Sequence, residues 1–206
     1  MAQEPKTGGI LRMAMKTQEI TDPANYNWIE ASNITRNVIE YLTEVDAENV
    51  VHPYLAESWT PSDDLKVWSF KLRQGVKWSN GDDFTTDDVE ANFKRWLRPE
   101  SKSVNRTQFA GTTFEKVGPH EFKLHLEKPK LSIPEELYAY TCSIVHRSFD
   151  ETGANFQKNP IGTGPYSLAE FGIGKLARVT RREGYWGKAP RCAVMSLPGR
   201  WTPSTG

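Results

Sequence analysis

Histidines and paired aspartates are the residues of this sequence that could carry metal or acid–base chemistry. His120 and His125 are five positions apart in an alternating run, so a strand would point them to opposite faces. The aspartate pairs at 82–83 and 87–88 lack the spacing of a calcium loop, and turn and helix-cap roles account for both. The stretch "IGTGPY" lacks the Lys-Ser/Thr and helix that follow a phosphate loop. The sequence therefore predicts no metal site, no cofactor and no enzyme.

Aromatic residues are abundant without catalytic groups beside them: seven Trp, seven Tyr and nine Phe in 206 residues. Such residues build cores and ligand-stacking surfaces, which favours a binding protein. Lys plus Arg and Asp plus Glu both number 26, and this balance disfavours nucleic acid as the partner. No run reaches the roughly 18 apolar residues of a membrane span. Cys142 and Cys192 fit neither a disulfide framework nor a zinc site.

Local patterns predict the elements that position these residues. The stretch "LKVWSFKLRQGVKWSNGDDFTTDDVEANFKRWLRP" alternates, turns at Gly75, alternates again, turns at Asn80-Gly81 and ends in a helix capped by Thr85 or Thr86. Six residues of this stretch are predicted to pack into one core: Trp68, Phe70, Leu72, Val89, Phe93 and Trp96.

Further segments complete a mixed α/β chain of the α+β type. "EASNITRNVIEYLTEVD" carries apolar residues at helical spacing, and Ser32 or Asn33 can cap its start. "TFEKVGPHEFKLHLEKP" predicts a hairpin with its turn at Gly118-Pro119. "SIPEELYAYTCSIVH" is predicted to be helical at its start. Strands in hairpins with scattered helices argue against a regular βαβ winding.

Three segments follow one another in the chain: "DPANYNWIEASNITRNVIEYLTEVD", "LAESWTPSDDLKVWSFKLRQGVKWSNGDDFTTDDVEANFKRW" and "NPIGTGPYSLAEF...REGYWG". In order and spacing they resemble the family 5 extracytoplasmic solute-binding proteins of bacterial ABC importers, which bind oligopeptides, dipeptides or nickel. The resemblance covers roughly residues 8–187. It implies a periplasmic-binding-protein-like lobe of type II, cluster C, in a protein that closes by hinge motion on its ligand.

The resemblance also implies a domain organisation. Lobe one would span 8–190, with one subdomain from 8–43 and 157–190 and the other from 44–156. Residues 191–206 show no strand or helix period, and we interpret them as an aberrant tail from a frameshift or truncation that removed lobe two. A designed boundary is the alternative.

The same resemblance implies a ligand-binding cleft. An extended peptide would pair with the segment after Asp22-Pro23, at Asn27, Trp28 and Ile29. The other residues expected to face the cleft are Gln108, Phe109, Tyr138, Tyr140, Gly162, Thr163 and Gly164. The alternative for Trp28 is a plain core or surface aromatic, and for Gly164 it is turn geometry and packing. The acidic partner of the peptide amino group would belong to lobe two.

The predicted function is therefore the substrate-binding component of an ABC importer for peptides, with the cognate permease as partner. The start "AQEPKTGG" looks like a mature terminus after removal of a signal peptide, which predicts a periplasmic protein, although a polar cytosolic start is the alternative. Two other functions stay open. One is a non-functional remnant that folds or self-associates through the exposed face between the lobes, and the other is a carrier of another solute such as nickel or heme.

Overall fold

A computed structural model describes residues 7–199 of the chain. Within that range there are ten β-strands, four α-helices and one 3-10 turn, and the strands form two four-stranded sheets and one two-stranded ribbon. In chain order the elements are β1 (Ile10–Arg12), the 3-10 turn (Pro23–Asn25), α1 (Ile29–Thr35), β2 (Thr43–Val45), β3 (Val51–Pro53), β4 (Ala56–Pro61), β5 (Val67–Leu72), α2 (Thr86–Leu97), α3 (Asn105–Gln108), β6 (Thr113–Gly118), β7 (Glu121–His125), α4 (Ile133–Glu136), β8 (Tyr166–Gly172), β9 (Leu176–Arg181) and β10 (Val194–Pro198).

The first sheet takes its strands from both ends of the described range. Its order is β1-β10-β9-β8, with β1 parallel to β10 and the other neighbours antiparallel. The second sheet, β4-β5-β7-β6, is antiparallel throughout and comes from one continuous stretch between them. The chain thus leaves the first sheet, builds the second and returns. The division into two subdomains, with bounds at 43–44 and 156–157, stays a prediction.

The predicted core beside the second sheet is confirmed. All six of its residues are buried in one apolar cluster, with Trp68 3% and Trp96 0% exposed. The ring of Phe70 stacks on that of Phe122 with centroids 5.0 Å apart. Burying each such side chain contributes about 1.5–3 kcal/mol. A second apolar cluster packs against the first sheet and takes residues from α1, β8, β9 and β10.

The end of the described range differs from the irregular tail expected after residue 191. Val194–Pro198 form β10, which lies between β1 and β9 and pairs with both. Its side chains alternate, and Met195 and Leu197 are buried in the second cluster. A five-residue run carries too weak a pattern to predict a strand, but two neighbouring strands with free backbone groups stabilise it. Residues 200–206 of the expected tail lie outside the described residues.

Helix α1 is shorter than its sequence pattern predicts and begins earlier. It ends at Thr35, and Ser32 does not cap it but shares a hydrogen bond between its hydroxyl and that of Tyr41. The carbonyl groups of Asn37 and Val38 accept hydrogen bonds from the backbone of the 164–166 segment. Because a distant segment supplies these partners, the chain leaves the helical path although the apolar spacing continues.

The segment between β5 and α2 confirms the predicted cap and corrects the predicted second strand. Instead of a strand at 76–78 there is a single bridge between Lys77 and Asp83. Thr85 caps α2: its hydroxyl accepts a hydrogen bond from the Asp87 amide (3.3 Å), and the Asp88 carboxylate accepts one from the Thr85 amide (2.9 Å). This reciprocal arrangement is a capping box, and it fixes where α2 begins.

The cap makes a measurable contribution to stability. Replacing Thr85 by alanine removes one acceptor for an unsatisfied helix amide, so we expect the free energy of unfolding to fall by about 1 kcal/mol. Urea unfolding followed by circular dichroism measures this change. Thr85→Ser keeps the hydroxyl and is the matched control. Equal stability of the two variants would contradict the assigned role of the hydroxyl.

Candidate ligand-binding face

The segment from Asn27 to Ile29 lies exposed at the start of α1. Trp28 is 64% and Ile29 54% exposed, and Trp28 has an extended backbone (φ −136°, ψ 138°). The turn before it is anchored: Asp22 accepts hydrogen bonds from the Ala24 amide (3.0 Å) and from the buried Arg95 guanidinium (2.7 Å). A large aromatic side chain therefore stands in solvent on a fixed backbone, which is unusual for a core residue and suits a ligand-stacking surface.

The opposite end of α1 carries an arginine beside a pair of packed tyrosine rings. The Arg36 guanidinium carbon is 5.9 Å from the ring centroids of both Tyr41 and Tyr138, and these rings are 5.6 Å apart. Burial lowers the pKa of Arg36, but the two tyrosine hydroxyls, that of Tyr41 above all, outweigh it and raise the pKa above its ordinary value. The guanidinium is thus a permanent cation with two tyrosine rings on one side.

The other residues expected at the cleft occupy different environments. Tyr138 lies half-buried beside Arg36, and Tyr140 packs half-buried on the second apolar cluster. Gln108 is half-buried and donates a hydrogen bond to the Glu136 carbonyl (3.3 Å). Phe109 is a core residue: it is 1% exposed, and its ring packs against others in the first cluster. We therefore correct its assignment, because a closed core leaves its ring no access to a ligand.

The turn at Gly162, Thr163 and Gly164 is buried and packs on the residues that follow α1. The amide of Gly164 donates to the carbonyl of Val38 (2.9 Å). A Cβ on Gly162 would lie 1.8 Å from that same carbonyl oxygen, and one on Gly164 would lie 2.8 Å from it. Glycine is needed here for close backbone approach. The turn supports the segment beside Arg36, and its side chains do not form part of the exposed face.

Glu40 is a buried carboxylate that the sequence analysis did not single out, and its hydrogen bonds hold the segment after α1 in place. Glu40 is 0% exposed and accepts hydrogen bonds from the Tyr54 hydroxyl (2.7 Å), the Tyr185 hydroxyl (2.6 Å) and the Trp186 indole (2.9 Å). Burial first, and then the charge of Glu40, raise the pKa of both tyrosines well above the ordinary value. The signal was available: Glu40 stands inside an apolar run, where an unpartnered charge would be costly.

Beside this cluster lies a cavity of about 710 Å³. Its lining combines the aromatic side chains Tyr54 and Trp186 with the basic residues Arg73 and Lys188. The Arg73 guanidinium stacks on the Trp186 ring at 4.8 Å. The cavity therefore lies where the return segment after β9 packs against the β2–β3 ribbon.

Within residues 7–199, no cluster of three or more His, Cys, Asp or Glu side chains is placed to hold a metal ion. No helix in that part of the chain is long and apolar enough to cross a bilayer. Both cysteines, Cys142 and Cys192, carry free thiols, and burial raises the pKa of Cys142.

Known proteins share this fold and about 30% of the aligned residues. Residues 50–194 match the family described as bacterial extracellular solute-binding proteins, family 5, in its middle region. The nickel-binding periplasmic protein of Escherichia coli K12 is 32% identical over 162 residues, which are 74% of this chain and 30% of that protein. The glutathione-binding protein GsiB of Salmonella typhi is 30% identical over 168 residues, or 80% of this chain and 33% of that protein.

A solved structure agrees with these matches. NikA from Brucella suis in complex with Fe(III)-EDTA superimposes with a TM-score of 0.78 at 30% identity, covering 96% of this chain and 40% of NikA. The chain therefore belongs to family 5 of the bacterial extracellular solute-binding proteins. It spans about a third of the length of the curated relatives it matches.

Proposed function

We propose that this chain forms one wall of the solute site of an extracytoplasmic ABC-importer receptor, with short peptides as the solute class. The observation that carries the proposal is the exposed Trp28–Ile29 pair on an anchored, extended backbone at the start of α1. Relatives with the same middle region are named for nickel and for glutathione, and glutathione is a tripeptide. A periplasmic location, a permease partner and the lack of enzymatic activity belong to the same proposal.

Peptide would bind along the exposed segment as an added strand. Backbone groups of Asn27 to Ile29 offer hydrogen bonds to an extended ligand, and the Trp28 ring offers a stacking surface. Each hydrogen bond contributes only about 0.5–1.5 kcal/mol against water. A single wall leaves the other side of the ligand in solvent and does not offset the cost of ordering it. We expect the 206-residue chain to bind a short peptide with a Kd of about 1 mM or weaker.

Tryptophan fluorescence tests this proposal on the chain as it stands. Titration with trialanine is expected to change the emission of the wild-type protein, and Trp28→Phe is expected to remove the change. The matched control is Trp59→Phe, because Trp59 is half-buried on β4 in the second sheet, away from α1. Titrations at two protein concentrations separate peptide binding from self-association through the same exposed residues.

Two results would contradict the proposal. An unchanged response in Trp28→Phe would show that the peptide lies elsewhere. A micromolar or tighter Kd for the monomer would show that one wall alone holds the complete site, against the physical argument given above.

A further inference from the structure

Arg36 is a half-buried cation without an anionic partner in the described part of the chain. The ion pairs within residues 7–199 that use arginine employ Arg95, Arg98, Arg147 and Arg178, and Arg36 is in none of them. The groups that shift its pKa are tyrosines, with no carboxylate among them. Two carboxylates of this region already have partners: Glu40 accepts from three donors, and Glu136 pairs with Lys130. A partly desolvated guanidinium in this position is poised for an anion.

The arginine lies on the same exposed side of α1 as the start of the helix. Ile29, Asn33 and Arg36 follow one another at helical spacing, and all three are partly or fully exposed while Ile34 and Thr35 are buried. Seven residues of helix separate Ile29 from Arg36 by about 10 Å. An extended peptide covers that distance with about three residues. A short peptide held at Trp28 could therefore place a terminal group at Arg36.

The guanidinium of Arg36 determines which chemical group of the solute can bind beside it. A guanidinium offers paired N–H donors that match the two oxygens of a carboxylate. The rings of Tyr41 and Tyr138 lie against one side of the guanidinium and exclude competing water from that side. We propose that Arg36, beside the packed rings of Tyr41 and Tyr138, binds a carboxylate of the solute. This inference rests on the proposed function and names the part of the solute that this wall recognises.

Three probes and two signals test the inference on the full chain. The probes are trialanine, trialanine amide and acetate, and the signals are the Arg36 Nε–H resonance in a nitrogen-15 NMR spectrum and the Trp28 emission. Trialanine and acetate are expected to move the Arg36 resonance, and the amide is expected to bind about fivefold more weakly than the acid. Arg36→Gln is expected to abolish the difference between acid and amide.

Two further variants make the test specific. Arg106→Gln removes the same charge from an exposed arginine on α3, and it is expected to leave the acid–amide difference unchanged. Arg36→Lys keeps the charge without the paired donors and is expected to retain only part of the difference. Comparable thermal melting of the variants and the wild type excludes a folding defect, and the wild-type resonance shift requires no variant at all.

The outcomes separate this inference from the proposed function. If acid and amide bind equally, with a Trp28 response and a silent Arg36 resonance, the inference is overturned and the proposed function stands. If acetate and trialanine move the Arg36 resonance while Trp28 stays silent, the carboxylate site is supported and the peptide proposal is overturned. If no carboxylate moves the Arg36 resonance at about 50 mM, the inference is overturned whatever Trp28 does.

Discussion

Glu40→Ala is expected to lower the free energy of unfolding by about 3–5 kcal/mol, because it leaves two hydroxyls and one indole N–H without the buried acceptor that they share. The three donors come from Tyr54, Tyr185 and Trp186, on both sides of the join between the β2–β3 ribbon and the return segment after β9. Urea denaturation at equilibrium, followed by fluorescence, measures the loss.

Two further variants define what Glu40 contributes. Glu57→Ala changes an exposed carboxylate on β4 and is expected to alter stability by less than about 0.5 kcal/mol. Glu40→Gln keeps the shape but replaces one acceptor oxygen by a donor, so it should fall between the wild type and Glu40→Ala. A loss below about 1 kcal/mol in Glu40→Ala would contradict the view that this carboxylate fastens the segment beside Arg36.

Gly162→Ala is expected to destabilise the protein by about 3 kcal/mol, since the added Cβ meets a backbone carbonyl that cannot rotate away. That atom is the oxygen of Val38, 1.8 Å from the ideal Cβ position. Moving it would also disturb the hydrogen bond from the Gly164 amide, and with it the chain that follows α1. The shift in the thermal unfolding midpoint measures the effect.

Gly118→Ala is the matched control for this substitution. Gly118 has no heavy atom within 4 Å of its ideal Cβ and no positive φ, so alanine should fit there with a change below about 0.5 kcal/mol. If Gly162→Ala were as mild as Gly118→Ala, the turn at 162–164 would be looser than the packing on Val38 indicates. Its role in supporting the proposed ligand-binding face would then be wrong.

Some of the site was predictable from the sequence and some was not. The segment at Asn27 to Ile29 was expected to be a ligand surface, and the structure places Trp28 in solvent there. Phe109 was expected in the same cleft, but an aromatic ring next to a polar residue looks the same in sequence whether it faces inward or outward. Only its packing against Phe93 and Trp96 distinguishes the two.

The sequence by itself determined the elements whose signals are local. The period of two in β5, the helical period and capping box of α2, and the hairpin of β6 and β7 each depend on neighbours along the chain, and each is present in the structure. The hairpin turn lies at Pro119-His120, one residue later than the predicted Gly118-Pro119, because Gly118 still pairs with Glu121. The resemblance to family 5 can also be recognised from the sequence alone, because it depends only on which residues occur and in what order.

The tertiary structure decided the features that depend on partners far away in the chain. The run at 194–198 became a strand because β1 and β9 supply its hydrogen bonds, and α1 stopped at Thr35 because the 164–166 segment binds the carbonyls that follow it. In the same way, Glu40 has donors up to 146 residues away, whereas the neighbours of Arg36 within residues 7–199 are Tyr41 and Tyr138 and no carboxylate pairs with it there. Sequence records that both groups are charged, but whether a charge is neutralised depends on which distant groups the fold brings to it.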